Sequence, residues 1–104
     1  MKIRFEQTGG LAGIPLSSAV DTNLLPVAEK EMIEKTVSEA NFFNLPPSFS
    51  PPKGSADYFR YTITVEDGSS KHTVEFSNLS KAPGLEPLTK FMRKKASPSN
   101  VDAM

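Results

Sequence analysis

The chain has 104 residues, enough for one hydrophobic core and too few for two. Twelve lysines and arginines balance twelve aspartates and glutamates, so no basic excess directs it to nucleic acid and no polybasic anchor directs it to a membrane. It has no cysteine, which excludes disulfides and thiol chemistry, and no apolar run near the roughly 20 residues of a membrane span.

The first stretch reads as a hairpin. Ile3 and Phe5 alternate with Arg4 and Glu6; Ile14, Leu16 and Val20 alternate with Pro15, Ser17 and Ala19. Both patterns are half-buried strands. The loop between them, Gly9-Gly10-Leu11-Ala12-Gly13, holds three glycines and one large apolar residue. Glycine suits a turn because it accepts positive φ, but a turn does not require an exposed leucine. Charges at alternate positions of the N-terminus are unlike a signal peptide, and a cytoplasmic location is the expectation. Pro15 has no N–H for a ladder bond, so the second strand is expected to lie at a sheet edge near its start or to bulge there.

Helical spacing follows from Val27 to Ala40. Ile33, Val37 and Ala40 form one stripe, with Met32 and Thr36 beside it. Pro26 precedes it, and Phe42-Phe43-Asn44-Leu45-Pro46-Pro47 stops it. Residues 46–56, rich in proline, serine and glycine, predict a mobile loop with little backbone pairing. Phe59, Tyr61, Ile63 and Val65 then share one face of a third strand. Asp67-Gly68-Ser69-Ser70 turns the chain, and His72, Val74 and Phe76 share a face of the fourth. A second helix is predicted from Leu85 to Lys95, with Leu85, Leu88, Phe91 and Met92 as its stripe. The basic residues of its last turns complement the helix dipole.

These elements predict an α+β fold: a four-stranded antiparallel sheet with two helices on one face, in the order ββαββα. Residues 1–95 form the single domain and 96–104 a flexible tail. The expected core contains Ile3, Phe5, Ile33, Val37, Phe59, Tyr61, Ile63, Val74, Phe76 and Leu88. The topology gathers three loops at one end of the sheet, over 9–13, 45–57 and 78–84. Enzyme chemistry finds no constellation here. His72 is the one histidine, at an inward strand position that suits packing, and a zinc site of the chain's own lacks ligands. No cofactor is called for.

The order and spacing of several fragments resemble the emfourin family, small bacterial protein inhibitors of thermolysin-like, protealysin-type zinc metalloproteases. They are Lys2-Ile3-Arg4-Phe5, Gly9-Gly10-Leu11-Ala12-Gly13-Ile14, Val20-Asp21-Thr22 and Phe42-Phe43-x-Leu45-Pro46. Asp57-x-Phe59-x-Tyr61-x-Ile63-x-Val65-x-Asp67-Gly68, His72-Thr73-Val74 and Pro87-Leu88 complete the set. The resemblance covers residues 1 to about 95. It departs at Leu11, where the family often has phenylalanine, which bears on affinity or target preference. The resemblance implies that the protein binds a thermolysin-like zinc metalloprotease; the free chain is expected to be a monomer. Leu11 or Ile14 would fill the protease's apolar pocket, flanked by Gly9, Gly10, Ala12 and Gly13, and the Asp57 carboxylate would reach its zinc. Read without the resemblance, Asp57 is a turn residue bonding its own backbone, and Leu11 folds back on the sheet edge. At the opposite end Leu24 or Leu25 with Asp67 is the competing pair. A non-inhibitory interaction module using the same loops is the alternative function.

Overall fold

A computed structural model describes residues 1–9, 14–54 and 58–98. Within them the strands are β1 (Lys2–Gly9), β2 (Leu16–Asp21), β3 (Phe59–Asp67), β4 (Ser70–Ser77) and β5 (Ser97–Pro98). The helices are α1 (Val27–Glu39) and α2 (Glu86–Lys95), with single 3₁₀ turns at Thr22–Leu24 and Phe42–Asn44. The sheet runs β4-β3-β1-β2-β5, and every neighbouring pair is antiparallel.

Register converts the alternating pattern into rows across the inward face. One row is His72–Val65–Ile3–Val20, the next Val74–Ile63–Phe5–Ser18, the third Phe76–Tyr61–Gln7–Leu16. Helix side chains cover these rows. Ile33 and Val37 come from α1, Leu88 and Met92 from α2, and all four are buried. Two threonines also reach the helix interiors, each by donating its hydroxyl to the carbonyl four residues back: Thr36 to Met32 and Thr89 to Leu85, both at 2.8 Å. The chain's start is tied in by Thr22, whose N–H donates to Met1 O at 2.8 Å and whose hydroxyl donates to Glu34 Oε2 at 2.9 Å.

One inward position is polar. Gln7 is 8% exposed, and its Oε1 has no hydrogen-bond partner among the described residues. An unpaired buried amide oxygen costs roughly 1–3 kcal/mol.

The α+β class, the two helices and the antiparallel pairing agree with the sequence pattern, and four details differ. The described residues form five strands rather than four, in the order ββαββαβ. The added strand, β5, lies in the stretch expected to fray. Two residues ending in proline carry no alternation to read, yet at the sheet edge Pro98 needs no donor. The start of β2 is consequently not an edge, because Leu16 and Ser17 pair with Pro98 and Ser97. Phe59 follows the inward alternation but is 37% exposed. It stands one row beyond the helices, and its neighbour on β1 is Gly9, which has no side chain to cover it.

The proline-rich segment is also paired where little pairing was expected. Glu75 N–H donates to Pro47 O at 2.9 Å, and Phe49 N–H donates to Glu75 O at 2.8 Å. Ser48 thereby bridges Glu75 in parallel along the outer edge of β4. Phe49 packs against the core and anchors the segment.

Phe76→Ala should cost about 3–5 kcal/mol in urea unfolding, the range for emptying a buried phenylalanine site. Phe59→Ala should cost less, about 1–2 kcal/mol, because part of that ring already meets water.

Candidate protein-binding site

β1 and β4 end, and β2 and β3 begin, at one end of the sheet, here called the upper end. Gly9 closes β1 with φ of 93°, and a Cβ placed on it would lie 2.4 Å from Tyr58 O. No other residue fits that conformation and that gap together. Asn78 holds the start of β3 from the other side. Its Oδ1 accepts from Phe59 N–H at 2.9 Å, and its own N–H donates to Phe59 O at 3.2 Å. Ser77 Oγ accepts from Leu79 and Ser80 N–H at 3.1 and 2.9 Å, which shapes the turn after β4. Asn78 is absent from the residues singled out by sequence; an asparagine directly after a strand was the available signal.

Three large apolar side chains at this end remain well exposed: Ile14 at 55%, Leu79 at 48% and Phe59 at 37%. Tyr58 lies beside them. Its hydroxyl accepts from Arg60 Nη2 at 3.3 Å, and this bond, with nearby Glu75, raises the pKa of the Arg60 guanidinium. Arg60 Nε also lies 3.8 Å from Glu75 Oε1, an exposed pair worth little in stability.

Of the residues named from sequence, Gly9 and Ile14 are described and both stand at the upper end. Gly10, Leu11, Ala12, Gly13 and Asp57 lie outside the described residues. The flanking chain is defined. Gly9 precedes the first of these segments, Tyr58 follows Asp57, and Gly9 and Tyr58 approach closely.

The lower end differs. Asp67 pairs with Ser70 around the two-residue turn Gly68-Ser69. Leu25 packs against the core, while Leu24 is 83% and Val27 69% exposed. His72 is half-buried; its Nε2 is 2.8 Å from Leu45 O, and its ring meets Phe42 edge-on at 5.6 Å. That is the packing role expected of it, tying the chain after α1 to β4. Among the described residues no group of three histidine, aspartate or glutamate side chains is placed to hold a metal, and no helix is long and apolar enough to cross a membrane.

The Emfourin family profile matches residues 5–93. The chain belongs to the Emfourin family. The match runs from within β1 into α2 and so includes Gly9, Ile14, Asp57, Tyr58 and Asn78. Emfourin is an inhibitor family, which fits a protein that is not an enzyme and whose partner is a protease. No curated protein and no solved structure matches the chain.

Gly9→Ala should lower stability by about 1–3 kcal/mol, because alanine is strained at that φ and its methyl must displace the Tyr58 carbonyl. Gly68, at φ of 62°, has open space where a methyl would stand, with nothing within 4 Å, so Gly68→Ala should cost about 1 kcal/mol. Thermal melts of the two variants compare strain alone with strain plus displacement.

Proposed function

We propose that this Emfourin-family protein inhibits thermolysin-like zinc metalloproteases by seating the upper end of its sheet in their substrate cleft. Leu11, with Ile14 beside it, fills the apolar pocket next to the scissile-bond position, and Asp57 presents its carboxylate to the zinc. Carboxylate oxygen is a hard, competent zinc ligand, and it would displace the metal-bound water that serves as nucleophile. The glycines around Leu11 keep the loop thin enough for a narrow cleft. No bond in the inhibitor need break, so it survives the encounter.

The observation that carries this reading is the close approach of Gly9 and Tyr58. It brings the chain before Gly10 and the chain after Asp57 to one point on the upper end. The exposed side chains of Ile14, Phe59 and Leu79 around that point supply an apolar rim. At the lower end Asp67 sits in a tight turn, and of the competing leucines only Leu24 is free of the core.

Titrating a thermolysin-like protease with near-equal amounts of the protein should abolish its activity and leave the inhibitor chain intact. Asp57→Asn should weaken inhibition about tenfold or more, since a contact to a charged group is worth roughly 1.5–3 kcal/mol. Leu11→Gly should have a similar effect through the lost apolar burial. Neither should move the thermal midpoint appreciably. If Asp67→Asn impairs inhibition while these two do not, the lower end is the binding end. If the parent leaves the protease active, the protein is a non-inhibitory interaction module.

A further inference from the structure

Below the upper end, between α2 and the inward face of the sheet, lies a cleft of about 490 Å³ lined by Gln7, Leu16, Lys90, Arg93 and Lys94. Lys90 and Arg93 also line an adjoining hollow of about 380 Å³ whose floor includes Tyr61 and Phe76. The two hollows therefore share the Lys90 and Arg93 side of α2. Lys90, Arg93 and Lys94 are exposed and form no ion pair among the described residues. Helix α2 carries four basic residues against the single Glu86, although the chain as a whole is neutral. Lys95 is turned aside, its Nζ 5.0 Å from the centre of the Phe91 ring. Three cations therefore stand free around one cleft, and its wall includes Gln7, whose Oε1 is buried and unpartnered.

We infer that this cleft binds an extended acidic segment of the target protease, a second contact beside the upper end; the choice of partner rests on the function proposed above. A peptide matches both needs of the cleft. Gln7 Oε1 is a buried acceptor without a donor, and a turn of its amide toward the cleft would let a peptide N–H supply one. The cations need an acceptor, which a carboxylate on the same segment provides. A simple anion such as chloride or sulfate can meet the cations but has no donor for Gln7. Leu16 and the Tyr61–Phe76 floor accommodate an apolar neighbour of the acidic residue. Leu16 is two residues from Ile14, and Gln7 two from Gly9, so a protease seated on the upper end overhangs the cleft.

The test has two arms, both on the full chain. In the first, nitrogen-15-labelled protein is titrated with a capped peptide of alternating glutamate and leucine. The side-chain amide of Gln7 and the Nε of Arg93 should shift saturably, and the Lys90→Glu/Lys94→Glu variant should show no such shift. In the second, a thermolysin-like protease is titrated at about 0.05 M and about 0.5 M salt, where screening differs severalfold. The double variant should inhibit about tenfold less well at low salt and lose most of the parent's salt dependence. Gln7→Leu should weaken inhibition while raising the thermal midpoint, a split that a merely structural glutamine would not give. Cleft variants that inhibit as the parent does, with the same salt response, overturn the inference and leave the proposed function standing. If the parent does not inhibit, the first arm decides: saturation at Gln7 keeps the cleft as an acidic-peptide site, and its absence overturns it. Equal shifts with duplex DNA, or a dimer by sedimentation that buries Gln7, also overturn it.

Discussion

Every row of the core passes through β1. It is paired on both sides, to β3 over its whole length and to β2 over six residues. Its inward residues Ile3 and Phe5 are 1% and 0% exposed. Cross-strand packing is the unit of sheet stability, so the order of side chains along β1 dictates what each row must contain. Apolar rows need a helix above them. The row with Gln7 is capped instead by the basic side of α2, and the row with Gly9 is not capped at all. The sheet therefore grades from dry core to open rim along one strand, and the rim is where chemistry with a partner can occur.

The rim is built by backbone constraint more than by side-chain contact. Gly9 admits the Tyr58 carbonyl, and Asn78 bonds both polar groups of the Phe59 backbone. Two loop roots separated by about half the chain are thereby fixed to each other. Binding loops on a rigid scaffold lose less freedom on association than loops on a mobile one. The exposed Phe59 ring has the same origin: a glycine demanded by the backbone leaves its neighbour uncovered.

The strands and helices were legible because their periods differ and each has a long run. Ile3-Phe5, Tyr61-Ile63-Val65 and Val74-Phe76 alternate cleanly, and Ile33-Val37 and Leu88-Met92 recur at helical spacing. What could not be read depends on contacts distant in sequence. Ser97-Pro98 becomes a strand only because β2 lies beside it, and Pro47-Ser48-Phe49 pairs only because Glu75 offers both of its backbone groups. Prolines in both segments argued against strand by propensity, and an edge position removed the objection. Of the site, Gly9 and Ile14 were legible as parts of a glycine-bracketed loop. Asn78 was not, since its bonds to Phe59 span 19 residues. Gln7 reads from sequence as one more polar residue, although the Ile3–Phe5 alternation continued along β1 turns it inward.

The segment along β4 has a consequence for a protein that works next to a protease. Peptidases take their substrates as extended strands, and an open sheet edge offers such a strand ready-made. Here the outer side of β4 at Glu75 is already occupied by Pro47–Phe49. Pro46 and Pro47 themselves have no N–H to donate to a newcomer. Ser77, further along β4, has its N–H turned to Ser80 O. Over this stretch the sheet ends in a selvedge, woven from residues that do not extend the ladder. At Glu75 and Ser77, therefore, a further strand finds the ladder already taken.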